Sequence, residues 1–123
     1  MGAGDGVSAL VTIAKEQPIP SAAFNSRRRQ LCRAALEQSS ISQAPVVFAL
    51  AAVYERITAK YGERGIRYAH MEAGHAAQNL LLQAIALGLG AVLVGAFEDG
   101  KVKRVLNLSR DEVPLYLIPV GKR

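Results

Sequence analysis

The most ordered pattern of hydrophobic and polar positions lies between Arg67 and Gly90, RYAHMEAGHAAQNLLLQAIALGLG, where it predicts a helix of about six turns with a glycine-rich exit. At a helical rotation of about 100° per residue, Tyr68, Glu72, His75, Asn79 and Gln83 fall in one narrow polar stripe. Ala73, Ala77, Leu80, Leu81, Ala84 and Ile85 spread over most of the remaining circumference. A sheet packed on one side covers roughly a third of a helix, so the other apolar face needs a second partner. In a short chain that partner is expected to be another copy, which makes Tyr68 to Leu89 the centre of a homodimer interface.

Earlier in the chain, Val7 to Ala14 alternates loosely and is rich in Val, Leu, Thr and Ile, which predicts a short strand or extended arm. Pro18 and Pro20 break any regular element, and Asn25 or Ser26 is placed to cap a helix from Arg27 to Gln38 with Leu31, Ala35 and Leu36 turned inward. That reading sets the arginines Arg27, Arg28 and Arg29 in a first turn, the unfavourable end for cations. After a polar turn, Ser39 to Gln43, the unbroken apolar run Ala44 to Tyr54 predicts a buried central strand. Glu55 to Gly65 is expected to be a loop or short helix. Past Gly88 and Gly90, Ala91 to Val94 predicts a second buried strand ending at Gly95; Asp99 can cap a short amphipathic helix carrying Val102, Val105 and Leu106 and reaching Asn107. Leu115 to Val120 predicts a third strand, between Pro114 and Gly121. Helices alternating with strands imply a two-layer or three-layer arrangement.

A chain of 123 residues bounds this to one domain with a single core. Half of the residues are hydrophobic, yet no apolar run approaches the roughly 18 residues of a membrane span, because His75, Gln78, Asn79 and Gln83 interrupt the longest. MGAGDGVSALVTIAKEQ has no basic leader before an apolar segment and no evident secretory cleavage site, and Cys32 has no second cysteine to pair with, so the expected compartment is the cytoplasm. The formal charge of +5 is dispersed over Arg27, Arg28, Arg29 and Arg33, then Arg56, Lys60, Arg64 and Arg67, then Lys101, Lys103 and Arg104, and finally Lys122 and Arg123. Aromatic residues are sparse, so a nucleic-acid partner is not expected; an anionic small ligand or a plain solvated surface fits better. Glu72 and His75 stand about one turn apart, but without a third ligand in view they read as polar residues of a helix interface. No metal is assigned.

Read together, RRRQLCRAALEQ, SQAPVVF, YERITAKYGERGIRY, EAGHAAQNLLLQAIALGLGAVLVGAFED and PLYLIPVGKR resemble the nitroreductase family of flavin enzymes, and within it the branch of peptide azoline dehydrogenases that make thiazoles and oxazoles. The resemblance is continuous in order and spacing from Arg27 to Arg123. It implies an α+β fold in which a small central sheet is flanked by helices and a long central helix lies at a dimer interface, with flavin mononucleotide (FMN) at the subunit boundary. Residues 1–25 would then be an arm or short strand plus linker, and 26–123 a nitroreductase-like domain truncated relative to the family, matching its C-terminal half.

The same resemblance implies site residues. The main chain at Gly95 and Ala96 matches the place where an amide hydrogen bonds flavin N5, and small residues there let the backbone approach a planar ring. Lys60 and Tyr61 match a Lys-Tyr pair that azoline dehydrogenases use near the flavin, where it looks like a proton acceptor. A lysine acts as a base only if burial or neighbouring Arg56 and Arg64 lowers its pKa, and a solvated loop lysine remains the other reading. Lys122 and Arg123 match basic residues that follow the last strand and would contact the phosphate. The family's N-terminal arginine-rich phosphate motif has no counterpart, and Arg27 to Arg29 precede the strand APVV, where the family has a different helix, so no phosphate role is carried to them. The expected function is FMN-dependent hydride transfer through N5 on a small molecule or peptide heterocycle. The alternative is a non-catalytic dimeric module that keeps the C-terminal fold and has lost the flavin.

Overall fold

The computed structural model describes the backbone of residues 7–14 and 21–123, and side chains from Ser26 onward. The break expected at Pro18 and Pro20 lies outside the described residues. In chain order the elements are β1 (Val7–Ala14), α1 (Ser21–Ala34), α2 (Ser39–Gln43), β2 (Val46–Ala52), α3 (Glu55–Tyr61), α4 (Arg64–Ala86), β3 (Leu89–Ala91), α5 (Asp99–Leu106) and β4 (Val113–Lys122). The strands form one sheet in the order β1-β2-β4-β3, every neighbouring pair antiparallel.

Helices cover both faces of this sheet, which is why β2 and β4 read as unbroken apolar runs rather than as alternating ones. Successive side chains of a strand point to opposite faces. Val47, Ala49 and Leu117 accordingly pack with Leu31, Ala34, Ile41, Val102 and Leu106 from α1, α2 and α5. Phe48, Leu50, Tyr116, Ile118 and Val120 meet α4 through Ala77, Leu80, Leu81 and Ala84. The result is an α+β architecture of three layers. The buried stripe of α4 is made of Gly65, Ala69, Glu72, Ala73, Ala77 and Ala84, so small residues bring the helix close to its neighbours and alanine adds helix propensity. Among the described residues no helix is long and apolar enough to cross a membrane.

Several boundaries move. α1 begins at Ser21 and stops at Ala34 instead of running from Arg27 to Gln38, so Arg27 to Arg29 lie inside the helix and the conflict with its dipole disappears. Its end is a Schellman turn: Glu37 N–H bonds Cys32 O at 2.8 Å and Leu36 N–H bonds Arg33 O at 3.2 Å. Leu36 occupies the left-handed position with φ 59°, where glycine is usual, and this hides the stop from a reading of the sequence. Ser39 to Gln43 is a short helix rather than a turn. Glu55 to Gly65 contains α3 and the first residues of α4, separated at Gly62, whose φ of +64° and ψ of −153° suit only glycine. The glycine-rich exit opens strand β3 at Leu89, and Val94 makes only an isolated bridge to Leu117. β4 extends to Val113 and Lys122 and takes in Pro114 and Pro119. The Pro119 carbonyl accepts from Val92 N–H, beyond the end of β3, so the missing proline N–H faces that side and leaves the β2 ladder intact.

Candidate functional site

The loop Gly95 to Glu98 is pinned at both ends. Val94 and Leu117 exchange backbone bonds of 2.8 and 2.9 Å, and Glu98 N–H donates to Ala34 O at 2.8 Å. Phe97 packs into the core beside α1 and α5 and draws the chain inward. Between the pins the N–H groups of Gly95, Ala96 and Phe97 have no hydrogen-bond partner among the described residues. A Cβ at Gly95 would meet nothing within 4 Å, and both Gly95 and Ala96 are exposed. An open, fixed stretch of main chain with free donors fits a planar heterocycle that carries an acceptor at its edge, which is the shape and chemistry of a flavin ring. From the link between α1 and α2, Gln38 reaches across and donates to Ala96 O at 3.0 Å.

Lys60 and Tyr61 form the last turn of α3 and are exposed. Lys60 Nζ lies 5.2 Å from the centroid of the Tyr61 ring. That ring meets Tyr68 edge-on, with centroids 5.2 Å apart at an angle of 87°. Arg64 lies 5.8 Å from the Tyr68 centroid and donates from Nε to Tyr68 Oη at 3.0 Å. The corner between α3 and α4 thus carries alternating cations and aromatic rings. At the other end of α3, Tyr54 Oη and His70 Nε2 are 2.8 Å apart, and burial, aided by the Asp99 carboxylate, pushes the Tyr54 phenol above its ordinary value of 10.0. An open hollow of about 880 Å³ runs beside the start of α4 along Arg64, Arg67, His70 and Met71.

Lys122 closes β4 opposite Leu89, with Arg123 after it. Beside them a groove of about 390 Å³ is lined by Ser40, Gln43, Pro45, Gly90, Gly121 and Lys122. Gly95 and Ala96 continue past the Val94–Leu117 bridge toward the Val113 end of β4. Because Ala52 pairs with Val113, α3 leaves the sheet at that same end. Lys60–Tyr61 and Gly95–Ala96 therefore share one end of the sheet, while Lys122–Arg123 stand at the other, roughly 20 Å away at the rise of a strand.

Glu72 and His75 diverge: Glu72 is only 4% exposed and turned inward, His75 is exposed. Among the described residues no three His, Cys, Asp or Glu side chains converge. Sequence reasoning missed Gln38, Tyr54 and His70. Their partners lie 58 and 16 residues away and leave no local pattern.

The family described as the Nitroreductase family matches residues 8–122. An assigned nitroreductase of Methanocaldococcus jannaschii is 52% identical over 94 residues, which cover 76% of this chain and 46% of that protein. A crystal structure of an assigned nitroreductase from Anabaena variabilis aligns with a TM-score of 0.72 and 38% identity, over 77% of this chain and 20% of the other. The NADPH:FMN oxidoreductase of Vibrio harveyi, in complex with NAD+, shares the fold at a TM-score of 0.74 and 21% identity, over 94% of this chain and 50% of its own. The chain thus spans about half the length of the curated relative it matches.

Proposed function

Since this chain belongs to the nitroreductase family, we propose that it carries the FMN-facing part of an oxidoreductase of that type, in the azoline dehydrogenase branch and corresponding to the C-terminal half of such enzymes. The observation that carries this reading is the run of unpartnered N–H groups at Gly95, Ala96 and Phe97, open to solvent and pinned on both sides. Bound there, FMN would accept or deliver a hydride at N5. The chain's own residues orient the ring edge through the Gly95–Ala96 main chain, and Lys60 with Tyr61 handles a proton of the substrate at the same end of the sheet. The substrate class is a small molecule or a peptide thiazoline or oxazoline, and the compartment is the cytoplasm. Lys122 and Arg123, at the groove beside Gly90 and Gly121, are assigned to a phosphate; because they stand at the opposite end of the sheet from this chain's Gly95–Ala96, that phosphate would belong to a flavin whose ring is held by the second copy.

The site is completed by a second copy. Met71, Leu82 and Ile85 stand 50, 56 and 54% exposed on the side of α4 turned from the sheet, continuous with Gly74 and Gln78. Solvent is a poor neighbour for such a strip, and the same strip on a second α4 covers it.

A second reading, a dimeric module without flavin, is favoured by the distance between Lys122–Arg123 and Gly95–Ala96, which leaves the phosphate end held weakly by one chain. Titration of the protein with FMN, followed by fluorescence quenching at low and high ionic strength, separates the two. Quenching that weakens as salt rises is expected, because two exposed cations are readily screened. No quenching at low salt with excess FMN would reject the cofactor and favour the module.

A further inference from the structure

Gln38 makes two hydrogen bonds that the flavin reading leaves unexplained. Its Nε2 donates to Ala35 O at 2.9 Å and to Ala96 O at 3.0 Å. Both acceptors are carbonyls, so both amide hydrogens are committed and the orientation of the side chain is fixed; its oxygen turned the same way would be repelled twice. The residue also stands on a stiff base. Leu36 and Glu37 both have positive φ, 59° and 61°, a left-handed conformation that side chains adopt only where the surroundings enforce it. Glu37 N–H is tied to Cys32 O at 2.8 Å, and Cys32 Sγ lies 3.4 Å from Gln38 O.

The carbonyl that Gln38 holds belongs to the peptide plane between Ala96 and Phe97, and the Ala96 N–H leaves from the other side of the same α-carbon. The held plane itself carries the Phe97 N–H, which points opposite to the carbonyl and is fixed with it, and the Ala96 N–H is joined to that plane across a single α-carbon. Glu98 N–H, bonded to Ala34 O, ties down the far end of the loop. Two tethers, one by backbone from the last residue of α1 and one by side chain from the link that follows it, thus hold the loop that carries the free donors.

We propose that Gln38 is the positioning residue of the Ala96–Phe97 main chain, holding the Ala96 carbonyl against the link between α1 and α2 so that the Phe97 amide hydrogen, and through the adjoining α-carbon that of Ala96, stay aimed at a ligand. The identity of that ligand rests on the flavin reading; the hold on the loop does not. Gln38→Met keeps the length of the side chain and loses both donors, and Gln38→Glu sets a carboxylate against two carbonyls. In flavin-free protein, both variants are expected to shift or broaden the amide NMR signals of Gly95, Ala96 and Phe97, while hydrogen exchange at Glu98 stays as slow as in the parent. With FMN added, the dissociation constant of Gln38→Met is expected to rise about tenfold, the scale of one hydrogen bond, at a nearly unchanged melting temperature. Unmoved signals at Gly95 to Phe97 overturn the proposal. Faster exchange at Glu98 also overturns it, because Gln38 would then be holding the packing of the loop as a whole. A parent that fails to bind FMN removes the flavin reading, and the NMR comparison still decides the role of Gln38.

Discussion

Gly65 lies against the Ile57 carbonyl: a methyl group on its α-carbon would stand 2.9 Å from the Ile57 oxygen and 3.0 Å from Thr58 N. These are backbone atoms of α3, and they cannot swing aside as a side chain would. The α3–α4 corner therefore depends on two glycines for different reasons, Gly62 for its backbone angles and Gly65 for close approach. Gly65→Ala is expected to destabilise the protein by about 1–3 kcal/mol, the cost of overpacking. Gly100→Ala, in α5 with nothing within 4 Å of its Cβ, is expected to gain up to about 1 kcal/mol from helix propensity. Denaturant unfolding of the two variants beside the parent checks both signs.

The strand from Ala44 is legible in the sequence because burial on both faces leaves an unbroken apolar run, and the helix from Arg67 because its polar residues recur in one stripe at helical spacing. What the wheel cannot settle is which leucine faces which partner, since neighbours differ by only about 100°. Leu81 is half-buried against the sheet core, whereas Leu82 is exposed. The ends of α1 are illegible for a different reason. Leu36 takes a left-handed position that sequence rules give to glycine, so the helical pattern of the sequence runs on through it. At the candidate site, Gly95 and Ala96 are visible only through family resemblance, because an open loop has no periodicity. Gln38 is not visible at all, since its role arises from a contact across 58 residues.

Leu82 consequently gives a sharper test of the dimer than Leu81, whose replacement would also damage the core of a single chain. Leu82→Asp leaves a monomer with an exposed carboxylate but buries an unpaired charge in the proposed interface, at a cost of about 3 kcal/mol. The dimer dissociation constant is expected to rise by about 100-fold, with little change in the helical circular dichroism of the monomer. Sedimentation velocity over a concentration series measures it. A variant that stays as dimeric as the parent, or a parent that is monomeric, argues that α4 does not make this contact.

The Tyr54–His70 pair predicts a pH dependence of stability. Burial and the Asp99 carboxylate raise the Tyr54 phenol above 10.0, so at alkaline pH the unfolded chain loses that proton before the folded one does. The unfolded state then binds fewer protons, and stability falls as pH climbs from about 10 through the raised folded value. Tyr54→Phe removes this loss together with the hydrogen bond to His70, which is worth about 1 kcal/mol or less near a surface. Near neutral pH the variant is expected to be slightly less stable, and the gap is expected to narrow or reverse above about pH 10. Thermal unfolding of both proteins over this range would count against the assignment if the gap stayed constant.

Lys60 and Tyr61 can be separated from mere surface residues by the geometry around them. The Tyr61 ring meets Tyr68 edge-on, and the ammonium of Lys60 lies 5.2 Å from the centroid of that same Tyr61 ring, so the ring and the hydroxyl of Tyr61 make distinct contributions. Tyr61→Phe keeps the aromatic stack and removes only the proton-carrying group. If the pair handles a proton of a peptide azoline, Tyr61→Phe and Lys60→Ala should each lower kcat by about 100-fold, the lower range for a lost acid or base, while FMN affinity and melting temperature hold. Tyr61→Leu should in addition raise KM, because loss of the ring releases Lys60 and opens the edge of Tyr68. Steady-state kinetics on a thiazoline peptide, with FMN quenching run in parallel, distinguishes these cases. Undiminished kcat in Lys60→Ala and Tyr61→Phe would return both residues to the solvated surface and leave the main chain at Gly95 and Ala96 as the part of the site this chain supplies.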